Sequence, residues 1–244
     1  MPMLDELNAF LNAYLFAERF EDDQNGIYRV PNQADKPVKR IGLLLEPFPK
    51  LADWTKKNKL DALFIHRPWK LEKMTPPSRE VGILAYHYAF DELLTTGYNP
   101  RLADVLLMEG LEVLGHKEGR PLGMIGDVPR TDLQMFQVQV EEVFGGLEGA
   151  YLKAEPEEEV AQVCVVGAMR DPLVREAHER GANVYITGQR RDHAKKAVED
   201  TGMSVLEIGH ERCERWGLRA LAGVLRERYA GLSVVIKYSR YHLV

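Results

Sequence analysis

Residues 40–66, RIGLLLEPFPKLADWTKKNKLDALFIH, read as a strand, a helix and a strand. The outer pieces, RIGLLLEPF and DALFIH, are apolar runs of strand length, and FPKLADWTKKNKL between them carries apolar residues at helical spacing. That order implies a parallel pair joined by a right-handed crossover. His66 then falls at the carboxyl end of its strand, where an α/β protein places its chemistry. Working outward, VGILAYH reads as a further buried strand that ends in His87. Leu4, Leu7 and Leu11 follow helical spacing at the start of the chain, and the segment EDDQNGIYRVPNQADKPVK reads as a polar loop rich in turn formers.

The pattern continues toward the C-terminus. YNPRLADVLLMEGL predicts a helix with Asn99 as N-cap, Pro100 in its first position and Gly110 at its end. RPLGMIGDVPRTDLQMFQVQVEEVFGG predicts a turn-rich stretch followed by a helix capped by Thr131 or Asp132. The run Glu155–Glu159 is the clearest linker signal. After it, EEVAQVCVVGAM, ANVYITG, MSVLEIG and SVVIKY read as strands. DPLVREAHERG (capped by Asp171), QRRDHAKKAVEDTG and ERWGLRALAGVLRERY read as helices among them. The fold class is α/β.

With 244 residues the chain can bury a sizeable core, and 45% hydrophobic with 28% charged residues is an ordinary globular composition. No apolar run is long enough for a membrane helix, and the acidic N-terminus lacks the features of a signal peptide. Two cysteines, Cys164 and Cys213, make no disulfide framework, and Cys164 sits in an apolar run as a small buried hydrophobe. The cytoplasm is the expected compartment. A net charge of −5 argues against nonspecific nucleic-acid binding, which needs a basic surface.

The chemistry-bearing residues gather at strand exits. His66 follows one strand, and the pair His87 and Asp91 straddles the exit of the next. The segment GHERCER, residues 209–215, places His210 and Glu214 four residues apart, on one face of a helix. Imidazoles with carboxylates suit a divalent zinc, iron, manganese, nickel or cobalt ion. Each piece also has a plain reading: His66 as a satisfied core or loop group, Asp91 as a turn cap, Glu214 as an acid favoured near a helix N-terminus.

In this order the motifs resemble the NIF-three-like family of dinuclear-metal proteins, often called GTP cyclohydrolase I type 2. In that family one strand ends in His-His-Pro, a later one in His-Thr-Asn-x-Asp, and a closing segment reads Gly-His-x-x-x-Glu-Arg. Here the matching residues are His66-Arg67-Pro68, then His87 to Asp91, then His210 with Glu214-Arg215. GANVYITGQRRDH, residues 181–193, resembles the family's Thr-Gly-Glu stretch, and the NGIY turn its early Asn-Gly-Leu. The resemblance implies two α/β domains, a metal-site domain of residues 1–124 with 206–244 and a second of 125–205. It also implies a homohexameric ring with its metals inside. It assigns metal ligation to His66, Asp91, His210 and Glu214, a proton-carrying or supporting role to His87, and catalysis to His87 with Glu214. Thr187, Gln189 and His193 would line the approach of substrate.

Three departures modify that expectation. Arg67 stands where the family has its second histidine, and a guanidinium has no lone pair to give. Gln189 replaces a glutamate, and Tyr88 and Phe90 replace smaller groups beside Asp91. The four remaining donors suffice for one ion, and for two only if waters or His87 complete the shells. Arg67 would then supply the charge of a second metal, or grip a phosphate by a bidentate contact, with Glu214, Asp91 or an anion as its counter-charge. The functional expectation is metal-assisted hydrolysis of a phosphate-bearing small molecule or nucleotide, favoured by Arg67, Arg190, Arg191, Arg212 and Arg215. The alternative is a ring-shaped binding, metal-handling or adaptor protein with a decayed centre, in which Arg67, Trp69, Lys70 and Lys73 meet an anionic partner.

Overall fold

The structure is a computed structural model that describes residues 1–238. The end of the segment expected to close the first domain, residues 239–244, lies outside the described residues. In chain order the first half holds α1 (Leu4–Tyr14), β1 (Asn25–Arg29), β2 (Arg40–Leu44), α2 (Leu51–Lys57), β3 (Ala62–Ile65), β4 (Gly82–Tyr86) and α3 (Tyr88–Leu94). Next come α4 (Pro100–Val105), β5 (Glu109–Lys117), β6 (Arg120–Asp132), α5 (Leu133–Phe144), β7 (Gly149–Tyr151) and β8 (Glu159–Ala168). The last are α6 (Asp171–Glu179), β9 (Val184–Gln189), α7 (Lys195–Thr201), β10 (Ser204–Glu207), α8 (His210–Arg228) and β11 (Ser233–Ile236). Two compact units result, one of residues 1–90 with the chain from Gly217 onward, the other Asp91–Trp216. No described helix is long and apolar enough to cross a membrane.

The first unit is built on a five-stranded sheet ordered β1-β4-β3-β2-β11. Its four pairings run β11, β2, β3 and β4 in parallel, with β1 joined to β4 antiparallel. All four residues of β3 are buried, as befits a parallel strand covered on both faces. Burying a Phe64 or Ile65 side chain contributes about 1.5–3 kcal/mol each. The expected polar loop around NGIY is in fact strand β1. Its polar composition suits a sheet edge, where one row of backbone groups meets solvent.

The second unit holds a six-stranded mixed sheet ordered β5-β6-β8-β9-β10-β7. Here the predicted turn-rich stretch is overturned, since Arg120–Asp132 is one long strand. Its prolines and glycines mark the backbone geometry, not turns. Pro129 lies within the register shift between Asp127 and Thr131, and a Cβ on Gly123 would stand 2.5 Å from the Val165 carbonyl oxygen of β8. The helix before it is shorter than predicted. α4 ends at Val105, Leu107 adopts a φ of 58°, and Gly110 belongs to β5, which the sequence hid inside the helix. Asp171 is the first residue of α6, not its cap, which is Arg170. Asp132 caps α5 by accepting from the Met135 N–H at 2.7 Å.

Asn99 does cap α4 as expected. Its side-chain oxygen accepts from the Leu102 N–H at 3.2 Å while its amide donates to the Thr95 carbonyl at 3.0 Å, and the residue is buried. Alanine at Asn99 removes both side-chain bonds and costs the Thr95 carbonyl its amide donor, while the Leu102 N–H keeps the Asn99 backbone carbonyl at 3.0 Å. The expected loss is about 1–2 kcal/mol, read as a lower urea midpoint with an unchanged denaturation slope.

Candidate metal centre

Parallel pairing of β3 with β4 sets their carboxyl ends side by side, and each strand is followed at once by a histidine. His66 is fully buried, and its Nδ1 lies 2.9 Å from the Tyr86 carbonyl oxygen. A carbonyl only accepts, so Nδ1 carries the proton and the lone pair of the neutral ring sits on Nε2. His87 is held in the same manner. Its Nδ1 lies 3.1 Å from Asp23 Oδ1, while Asp23 Oδ2 accepts from the Tyr88 N–H at 2.6 Å. Carboxylates and carbonyls fix metal-ligating imidazoles in this way.

Asp91 follows His87 by four residues. Helix α3, which starts at Tyr88, carries it one turn on from the strand exit. One ligand atom each from His66, His87 and Asp91 lies within 4.8 Å of the other two. The two imidazole centroids are 5.2 Å apart, and the Phe90 ring packs 4.7 Å from that of His66. Trp69 stands edge-on to His87 at 4.9 Å, and Tyr88 tilts against it at 4.2 Å.

The closing motif brings a further histidine and acid together. Gly209 has a φ of 90°, and a Cβ there would meet the Glu148 carboxyl carbon at 2.5 Å, so only glycine fits before α8. His210 Nε2 and Glu214 Oε1 lie 2.9 Å apart, one helical turn from each other. The two ends differ: the Glu214 side chain is 1% exposed, that of His210 66%.

Arg67 finds a counter-charge that the sequence did not single out. Its Nε donates to Glu46 Oε1 at 3.0 Å, and Lys70 Nζ donates to Glu46 Oε2 at 2.6 Å. Burial would push the Glu46 carboxyl up. The hydrogen bond from Lys70, the Arg67 and Lys70 charges and the Arg67 hydrogen bond outweigh it and hold the carboxyl below its ordinary range. Glu46 and Asp23 are the two acids that sequence reasoning missed. Asp23 lies in the segment read as a loop. It reaches His87 because β1 pairs with β4, the His87 N–H donating to the Gln24 carbonyl at 3.2 Å.

The remaining candidates lie in the second unit. Thr187 is buried at the end of β9, its hydroxyl 3.3 Å from the carbonyls of Gly167 and Gln189. Gln189 is exposed and accepts from Arg191, and His193 is exposed in a short 3-10 turn. Of the arginines, Arg215 pairs with Glu211 at 2.6 Å, and Arg190 packs over the Tyr151 ring at 3.9 Å.

The profile of the Duf34/NIF3 (NGG1p interacting factor 3) family matches residues 2–242, so the chain belongs to that family. It is similar to a GTP cyclohydrolase 1 type 2 homolog from Pyrococcus horikoshii, 30% identical over 160 residues. That match covers 64% of this chain and 62% of the relative. A GTP cyclohydrolase 1 type 2 homolog from Pyrococcus abyssi is 24% identical, with 95% of this chain and 96% of the relative covered. The crystal structure of a Bacillus cereus protein related to NIF3 superposes with a TM-score of 0.67 at 14% identity, covering 100% of this chain and 98% of the other. That likeness is one of fold.

Both cysteines are buried and free. Burial pushes the Cys164 thiol well up, opposed by the Arg180 charge, so the thiol stays protonated and unreactive at neutral pH. Cys213 is 3% exposed. Neither cysteine should react with Ellman's reagent in the folded protein at about pH 8, and both should react once denatured. Reaction of a native thiol within minutes would contradict this burial.

Proposed function

We propose that this protein is a metal-dependent hydrolase-like member of its family, acting on a phosphate-bearing small molecule or nucleotide with at most one tightly held divalent ion. The observation that carries this reading is the convergence of His66, His87 and Asp91 donor atoms within 4.8 Å. Two imidazoles and a carboxylate match the donor set of an open catalytic site. His87 thereby fills the place that Arg67 cannot, and Asp23 acts as the acid that orients it. A bound ion would supply Lewis acidity and a more acidic water at neutral pH.

The chain's own residues do the rest. Glu214, out of water, holds the solvent-exposed His210 ring in place. Arg67 and Lys70, clamped on Glu46, supply positive charge for a phosphate group. The names of the Pyrococcus relatives support a nucleotide among the candidate substrates.

A second reading is favoured by one observation, the guanidinium at the histidine position already engaged by Glu46. On that reading the protein is a homo-oligomeric binding or adaptor module with a decayed centre.

Metal content of protein purified without chelator or histidine tag separates the two. The first reading expects near-stoichiometric ion that is lost in Asp91→Asn, with affinity about 10–100-fold weaker in Asp23→Asn. Protein that holds no ion and whose melting temperature ignores chelator belongs to the second. Arg67→His should raise metal content toward two ions, and an unchanged content would sink the single-ion argument.

A further inference from the structure

We propose that the second unit carries a binding site of its own, for a small anion with a flat apolar body. The site is a cleft of about 220 Å³ lined by Tyr151, Met169, Val198 and Val205 with Lys153, Arg190 and Lys195. Its floor is continuous with the core, since Met169 and Val205 are fully buried and Val198 nearly so. Ligand sites combine such an apolar lining with a few charged groups that fix orientation.

The charges at the mouth are mostly of one sign. Lys153 has no carboxylate partner among the described residues, and its backbone N–H is taken by Ser204 Oγ at 3.1 Å. Lys195 faces only Glu199, at 4.0 Å and with both groups largely exposed, an ion pair that holds little. Arg190 lies flat on the Tyr151 ring at 3.9 Å, with Glu207 at 4.0 Å from its Nε. Against one lining acid, Glu199, stand three cations. An anion entering here meets favourable charge beside apolar walls that water wets poorly. The volume falls below the roughly 300–1,000 Å³ usual for drug-sized ligands, so the occupant is about one ring with one acidic group.

Nothing in this site depends on the histidine cluster, so it stands or falls separately from the metal reading. The test is calorimetric titration of the full chain with phenylphosphonate, a ring bearing a non-hydrolysable acid. Saturable binding of one equivalent is expected, persisting after chelator treatment. Inorganic phosphate and benzyl alcohol, which each offer half of the ligand, should bind at least about tenfold more weakly. The double variant Lys153→Gln/Lys195→Gln, exposed positions that fold without difficulty, should weaken phenylphosphonate about tenfold. No saturable heat, an unchanged affinity in the double variant, or loss of binding on chelation would each overturn the proposal.

Discussion

Parallel pairing of β3 with β4 is the constraint on which the candidate centre depends. The register that sets Phe64 beside Leu84 brings His66 level with Tyr86, one residue short of His87, and each strand is followed at once by its histidine. Because side chains alternate along a strand, a slip of one residue would send the flanking side chains to the opposite face. The hydrogen bond from His66 to the Tyr86 carbonyl locks the two exits together in a way that the ladder alone does not. Buried apolar residues on both faces of β3 therefore hold an imidazole that is itself fully buried. Removing such a group from water is tolerable because its ring N–H is satisfied and the ring packs on Phe90.

Orientation is then refined by groups that touch no ligand. Asp23 spends one oxygen on His87 and the other on the Tyr88 N–H, so the same carboxylate positions the ring and helps to start α3. That helix in turn sets where Asp91 stands. Strand exit, His87 ring and the Asp23 carboxylate are thus joined through the edge pairing between β1 and β4. A carboxylate near a helix start is also favoured by the helix dipole, which lowers the cost of holding Asp23 there.

Legibility in the sequence followed burial. β2, β3, β4, β8, β9 and β10 are continuous apolar runs, and their order alone implied parallel α/β units. The Gly209-His210 start of α8 was legible because a helix fixes the spacing of His210 and Glu214. β1 and β6 were not. β1 carries the polar residues of an edge, and β6 carries prolines and glycines that normally punctuate turns. Only the bulge around Pro129 and the close approach of Gly123 to β8 show why they are tolerated. Asp23 and Glu46 escaped notice for a related reason: each reaches its partner through strand pairing, across 64 and 21 residues, and no local spacing records that.

Arg67 poses the sharper physical question, since a permanent cation next to candidate ligands should repel a metal. At a separation of 3.0 Å, Glu46 lies close enough to offset much of that charge locally, and Lys70 shares the same carboxylate. The field of such partly exposed ion pairs is screened within about 8–10 Å at physiological ionic strength. On the proposed reading, Asp91 would compensate a single ion, and among the described residues the cluster of His66, His87 and Asp91 offers no second acid. On the proposed single-ion reading, such a centre would trade a second metal for a fixed cation, keeping attraction for phosphate while giving up one source of Lewis acidity.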